Sequence, residues 1–165
     1  MLIAKRLFRM NPMKIAIGAD HAGFELKEKI KQYLIRKGVE VDDRGTNSPE
    51  SVDYPDYARV VGEVVAGRRA ESGILVCGTG IGMAIAANKV PGIRAAKVNS
   101  EVEAQLSREH NDANVMTIGG RVVDEASAFK IVDRWLSTQF SGGRHQRRVD
   151  KISDIERVES RVAST

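Results

Sequence analysis

Five short apolar runs alternating with amphipathic stretches constrain this chain more than any other feature of it. Lys14 to Gly18, Val39 to Asp42, Gly73 to Cys77, Gly92 to Ala96 and Val115 to Gly119 are strand-sized and bounded by glycine or aspartate. Between them apolar residues recur at helical spacing over Gly23 to Arg36, Tyr54 to Arg68, Gly82 to Lys89, Ser100 to His110 and Asp124 to Thr138, and a sixth helix is expected after Gly143. A helix after each strand carries the chain back across the sheet, so successive strands run in the same direction. The expectation is an α/β fold, doubly wound, in which a five-stranded parallel sheet is the middle layer of three. The 165 residues suit one such domain, and no linker or internal repeat divides them. We expect the domain over residues 13–157, with flexible ends at 1–12 and 158–165. For 1–12 two readings stay open: a segment added by an upstream start codon, with Met13 the functional beginning, or a weak amphipathic arm.

Sheets of this kind bind ligands beyond the carboxyl ends of their strands, where the strand order reverses. Three groups fall on that edge: Asp20-His21 after the first strand, Cys77 after the third, and Gly119-Gly120-Arg121 after the fifth. Cys77, the only cysteine, opens the loop Cys77-Gly78-Thr79-Gly80-Ile81-Gly82. Its alternating glycines let backbone N–H groups converge on an anion, and the helix that follows turns its positive end toward them. A thiol there gains thiolate character and can act as a base. Read blandly, the same cysteine is a small buried hydrophobe. A dinucleotide fingerprint is excluded, because either register needs glycine or alanine at Met83 or Ile85. A P-loop is excluded as well, since no Lys-Ser or Lys-Thr follows the glycines. What remains is a small-anion cradle beside a thiol.

The net charge of +4 sits mostly at the ends, in Lys5, Arg6 and Arg9 and in Arg144, Arg147, Arg148 and Lys151. With one Trp, three Tyr and four Phe there is no basic stripe interleaved with aromatics, so nucleic acid is not expected as a partner. No stretch approaches the roughly 20 apolar residues of a membrane helix. One cysteine rules out an internal disulfide, which suits the cytoplasm. His110 falls at a predicted helix C-terminus, where the dipole favours imidazolium and hence a general acid; the alternative is a solvated helix end. Asp20 offers a carboxylate to sugar hydroxyls, or caps the helix that begins near Gly23. Arg144 and Arg148 are spaced to share a helix face and grip a phosphate, or simply form a solvated basic face.

Taken together, Gly18-Ala19-Asp20-His21-Ala22-Gly23-Phe24, Asp53-Tyr54-Pro55, Cys77-Gly78-Thr79-Gly80-Ile81-Gly82, Ala86-Ala87-Asn88-Lys89, Gly92-Ile93-Arg94-Ala95, the run from Leu106 to Val115, and Gly142-Gly143-Arg144-His145-Gln146 make the chain resemble ribose-5-phosphate isomerase type B. The likeness runs from about Lys14 to Glu156, and its family also includes galactose-6-phosphate and allose-6-phosphate isomerases. The resemblance implies a Rossmann-like fold and interconversion of ribose 5-phosphate and ribulose 5-phosphate through a cis-enediolate, in the non-oxidative pentose phosphate pathway. It implies no metal and no organic cofactor. It makes Cys77 the base, with Thr79 in the same loop. His110 assists ring opening, with Asp20 near the ring oxygen and hydroxyls. Backbone amides from Gly78, Gly80, Ile81 and Gly82, with Asn111, would stabilise the enediolate. Tyr54 would contact the substrate, and His21, Arg121, Arg144 and Arg148 would hold the phosphate.

The resemblance further implies a homodimer, in some members a tetramer, whose C-terminal segment reaches the neighbouring subunit's site. Arg144 and Arg148 would then serve the other chain's substrate. The segment from Lys97 to Glu103 departs from the family pattern beside the site. It leaves a hexose 6-phosphate, allose or galactose, as the alternative substrate.

Overall fold

The computed structural model describes residues 12–162. In chain order the elements are β1 Lys14–Ala19, α1 Phe24–Arg36, β2 Glu40–Asp43, α2 Tyr54–Ala66, β3 Ser72–Cys77, α3 Ile81–Ala87, β4 Ala95–Lys97, α4 Glu101–Asn111, β5 Val115–Gly119, α5 Glu125–Ser137 and α6 Arg144–Val162. All four strand pairings are parallel, and the strand order is β2-β1-β3-β5-β4. The expected α/β architecture is therefore the one found. Most of the expected flexible ends lie outside the described residues, and α6 runs on through Val162, past the boundary expected at 157.

Period-two alternation sorts the central strands into two cores. Ile15, Ile17, Ala19, Ile74, Val76, Met116 and Ile118 point to one face, against Leu26, Ile30 and Leu34 of α1, Ala104 of α4 and Ile131, Val132 and Trp135 of α5. Ala16, Leu75, Cys77 and Val115 point to the other, against Ala58, Val61, Val64 and Val65 of α2 and Met83 and Ala87 of α3. Burial on both sides explains why the three middle strands read as unbroken apolar runs. The edge strand β4 differs from expectation. It begins at Ala95 rather than Gly92, because Gly92 takes φ +84° in a turn that Ile93 N–H closes on the Val90 carbonyl.

One ionic cluster anchors α1 to β2. The Lys27 side chain is 1% exposed, and its Nζ lies 3.0 and 2.8 Å from the two carboxylate oxygens of Asp43 and 2.7 Å from Glu28. Asp43 also accepts from Lys31 at 2.7 Å and from the Gly45 amide at 3.0 Å. Burial pushes the Asp43 carboxyl upward, but the ammonium groups of Lys27 and Lys31 and the Gly45 amide outweigh it and hold the group below the usual carboxylate range. A carboxyl depressed on folding contributes stability above its unfolded value, near pH 4, and loses it as pH falls through the folded value. Asp43→Ala is expected to destabilise the fold by about 3 kcal/mol, because Lys27 stays buried with only Glu28 left to pair it. The acid side of the stability–pH curve should flatten in the variant, a change that urea titration between pH 3 and 7 would read.

Candidate active site

Outgoing connections leave β1 and β3 in opposite directions, α1 toward β2 and α3 toward β4, so the crevice between these two strands is where the order reverses. The turn after β1 and the glycine loop after β3 flank it. Gly23 permits their close approach, since a Cβ there would meet the Val76 carbonyl oxygen at 2.2 Å. Asp20, 5% exposed, is tied to β3 by its amide, 3.3 Å from the Val76 carbonyl, and its Oδ1 accepts the Gly23 N–H at 3.0 Å. The N-cap of α1 is Gly23 itself, so Asp20 closes the turn ahead of the helix and does not cap it. His21 Nδ1 lies 3.2 Å from both the carbonyl and the amide of Val52, so either tautomer is anchored to the segment leading into α2. That contact turns Nε2 into the ring nitrogen a ligand can use.

Cys77 ends β3 and is 5% exposed. Its Sγ accepts the Gly80 N–H at 3.1 Å, and Gly80 adopts φ +80°, a left-handed conformation that glycine takes without strain. The Thr117 hydroxyl on β5 donates to the Gly80 carbonyl at 2.7 Å and pins the turn from below. The Ile81 N–H goes to the Thr79 hydroxyl at 3.3 Å. Two of the amides expected to face an anion are thus engaged inside the loop, one of them holding the sulfur. The Gly120 and Arg121 amides bond the carbonyls of Cys77 and Gly78 at 2.8 and 3.0 Å, which draws the loop after β5 onto the same edge. The Arg121 guanidinium lies over Gly78, 3.4 Å from where a Cβ would stand. Tyr54, at the start of α2, lays its ring against Gly82, leaving no room there for a side chain.

Asp20, His21, Tyr54, Cys77, Gly78, Thr79, Gly80, Ile81, Gly82 and Arg121 therefore share one edge of the sheet. The other expected site residues do not join them. α4 carries the chain back from the carboxyl edge, so His110 and Asn111 sit just before Val115, where β5 begins, whereas Cys77 pairs with Gly119, where it ends. Four residues of strand separate the two levels by about 13 Å. Arg144 and Arg148 belong to α6, whose first turn packs on the end of α4: His145 stacks on His110 with ring centroids 4.2 Å apart and planes 7° from parallel. The Ser141 amide bonds the Glu109 carbonyl at 3.1 Å, and Arg94 Nε and Nη2 bond the backbone carbonyls around Asn111 and Asp112. The expected site residues of one chain thus fall into two groups on opposite edges of its sheet.

The sequence places His110 at a helix C-terminus, and the resemblance makes it act with Cys77; the two fall on opposite edges of one chain because a helix that follows a parallel strand ends at the other side of the sheet. His145, one of only three histidines, was singled out in its motif but given no role. Its stacking on His110 depends on the chain reversal at Gly142 and Gly143, both with positive φ, which spacing does not reveal.

The family model described as Ribose/Galactose Isomerase matches residues 15–152. Ribose-5-phosphate isomerase B of Escherichia coli K12 is 54% identical over 143 residues, which are 87% of this chain and 96% of that one. A solved structure of ribose-5-phosphate isomerase B from Clostridium thermocellum superposes with a TM-score of 0.88 at 52% identity, covering 89% of this chain and 99% of the other. One from Mycoplasma genitalium, holding ribulose 5-phosphate, gives 0.85 at 45% identity over 88% and 97% of the two chains. Sequence and fold agree, and the chain belongs to the Ribose/Galactose Isomerase family.

Proposed function

We infer that the protein interconverts ribose 5-phosphate and ribulose 5-phosphate. The observation that carries this reading is the buried Cys77 thiol at the point of strand-order reversal, held by the Gly80 amide and flanked by Asp20, His21 and Arg121. Relatives that carry the pentose name, in E. coli and elsewhere, favour the five-carbon substrate over a hexose 6-phosphate. No helix among the described residues is long and apolar enough to cross a membrane. A charged sugar phosphate is retained inside cells, where a lone thiol stays reduced, and we assign the enzyme to the cytoplasm.

The chemistry needs an acid, a base and an oxyanion site in one place. His110 donates a proton to the furanose ring oxygen while the anomeric hydroxyl loses its own, giving the open-chain aldehyde. The Cys77 thiolate then removes the proton at C2, and the electron pair moves into the C1–C2 bond as the carbonyl oxygen becomes negative. Asn111 and the loop amides not engaged within the loop stabilise that enediolate. The O2 hydroxyl proton passes to the negative O1, Cys77 returns its proton to C1 on the same face, and O2 becomes the ketone oxygen. His21, Arg121, Arg144 and Arg148 supply the positive charge for the phosphate.

His110 and Cys77 lie too far apart in one chain for this sequence of steps, and a second copy brings them together. Ile81 and Ile85 of α3 and Val102 and Leu106 of α4 are exposed, between 39% and 64%, and flank the edge strand β4. Both stripes run from the carboxyl edge toward the amino edge. Two copies related by a twofold axis across this face meet antiparallel, which sets the Cys77 edge of one against the His110 edge of its partner. The functional unit we propose is a homodimer with two shared sites. A direct test incubates the purified protein with ribose 5-phosphate and, separately, with allose and galactose 6-phosphates, following ketose formation. Conversion of the pentose at the highest kcat/KM is the expected result; turnover of a hexose alone would overturn the substrate assignment and leave the fold and family standing.

A further inference from the structure

We propose that His145 is a positioning residue for ring opening: its imidazole lies flat against that of His110 and holds the plane in which His110 presents its proton. This rests on the reading of His110 as the ring-opening acid. The two rings are 4.2 Å apart at 7°, and both come from the same chain, so the stack exists before any partner arrives. His110 stands in the last turn of α4, beside the left-handed Asp112 that ends the helix. A side chain there, with nothing against its face, samples several rotamers. His145 removes that freedom because it is itself fixed: it is 9% exposed, its amide bonds the Gly142 carbonyl at 3.0 Å, and the Ser141 amide ties the preceding segment to Glu109.

The charges around the stack assign the neutral form to one ring. Two imidazolium ions at this separation repel, so a charge on one ring disfavours a charge on the other. Around it α6 presents Arg144 and Arg148 and α4 presents Glu109, Arg108 and Asp112. Arg108 is turned away to Asp112 and the Ala113 carbonyl, and the Glu109 carboxylate receives the Gln105 amide at 2.8 Å. His145 is held below the usual imidazole range, first by burial and then by the positive field of His110, Arg144 and Arg148, with Glu109 opposing. The neutral ring therefore falls to His145. A neutral aromatic face against an imidazolium is an attractive contact that stabilises the acid form.

A positioning role in ring opening has a signature that loss of fold lacks. Ribose 5-phosphate is mostly a closed furanose, whereas 4-deoxyribose 5-phosphate lacks the hydroxyl that closes that ring and stays open. In the full-length dimer, His145→Ala is expected to lower kcat/KM for ribose 5-phosphate by about 10–100-fold and for the 4-deoxy analogue by less than about 3-fold. His145→Phe, which keeps a flat ring, recovers most of the loss. His110→Asn runs alongside. If it depresses both substrates alike, the ring-opening reading of His110 falls; if it spares the analogue while His145→Ala affects both substrates equally or neither, the present proposal is overturned. Imidazole ¹⁵N NMR on the unmodified protein gives an independent answer, with His145 expected to protonate below the usual imidazole range. Protonation of His145 at or above that range would sink the assignment of the neutral ring to it.

Discussion

Replacing Cys77 with alanine is expected to lower kcat for ribose 5-phosphate by about 10³-fold or more while KM changes by less than about 3-fold. The asymmetry follows from what the sulfur does and does not touch. In the proposed mechanism it is a proton carrier whose task begins only once substrate is bound, and the phosphate is assigned to His21 and the arginines. Alanine leaves the β3 backbone in place, with its bonds from Gly120 to the Cys77 carbonyl and from Thr117 to the Gly80 carbonyl. The side chain is small and sits at the end of its strand, so the expected stability loss is about 1 kcal/mol, from the missing sulfur contacts and the Gly80 amide that loses its acceptor. Serine is no rescue, because a hydroxyl at the same place stays protonated near neutral pH. A Cys77→Ala protein that folds, melts within a few degrees of its parent and binds a phosphorylated competitor, yet turns over at more than about a tenth of the parent rate, would show that another group removes the C2 proton.

Mixing two dead variants is expected to restore activity. Cys77→Ala and His110→Asn each spoil both sites of their own homodimer if every site draws its base from one subunit and its acid from the other. After co-refolding or subunit exchange, half of the dimers are mixed, and each mixed dimer has one site in which both residues are native. Recovery should approach about a quarter of the wild-type rate. Arg148→Ala in place of His110→Asn tests the phosphate side of the same arrangement, because Arg148 lies on α6 with the His110 half-site. If each site were built within one chain, every mixed dimer would keep one subunit lacking its base and one lacking its acid, and no activity would return. The two outcomes differ by orders of magnitude, so neither variant needs a precise residual rate.

How much of this was legible in the chain differs by element. The three central strands β1, β3 and β5 were recoverable to within a residue, because burial on both faces makes their sequences apolar throughout and no other element competes for such runs. β4 was not, since an edge strand of three residues carries little pattern and the turn at Gly92 borrows its first residues. The glycine loop was legible because its chemistry is local. Gly80 must turn left-handed within three residues of the sulfur it holds, and such spacing survives in the sequence. The role of Asp20 was half legible: its bond to the Gly23 amide is local, but its place beside Cys77 comes from strand pairing.

By itself the sequence determined the alternation of strand and helix, the parallel sheet that follows from it, and the residues of the carboxyl-edge loops, because each depends on contacts within about a dozen positions. Only the tertiary structure decided the order β2-β1-β3-β5-β4, the docking of α6 on the end of α4, and the stacking of His145 on His110. Those depend on which side of a strand each crossover takes and on how far a helix carries the chain back. Hydrophobic pattern is indifferent to both, and only the packing of the whole domain selects between them.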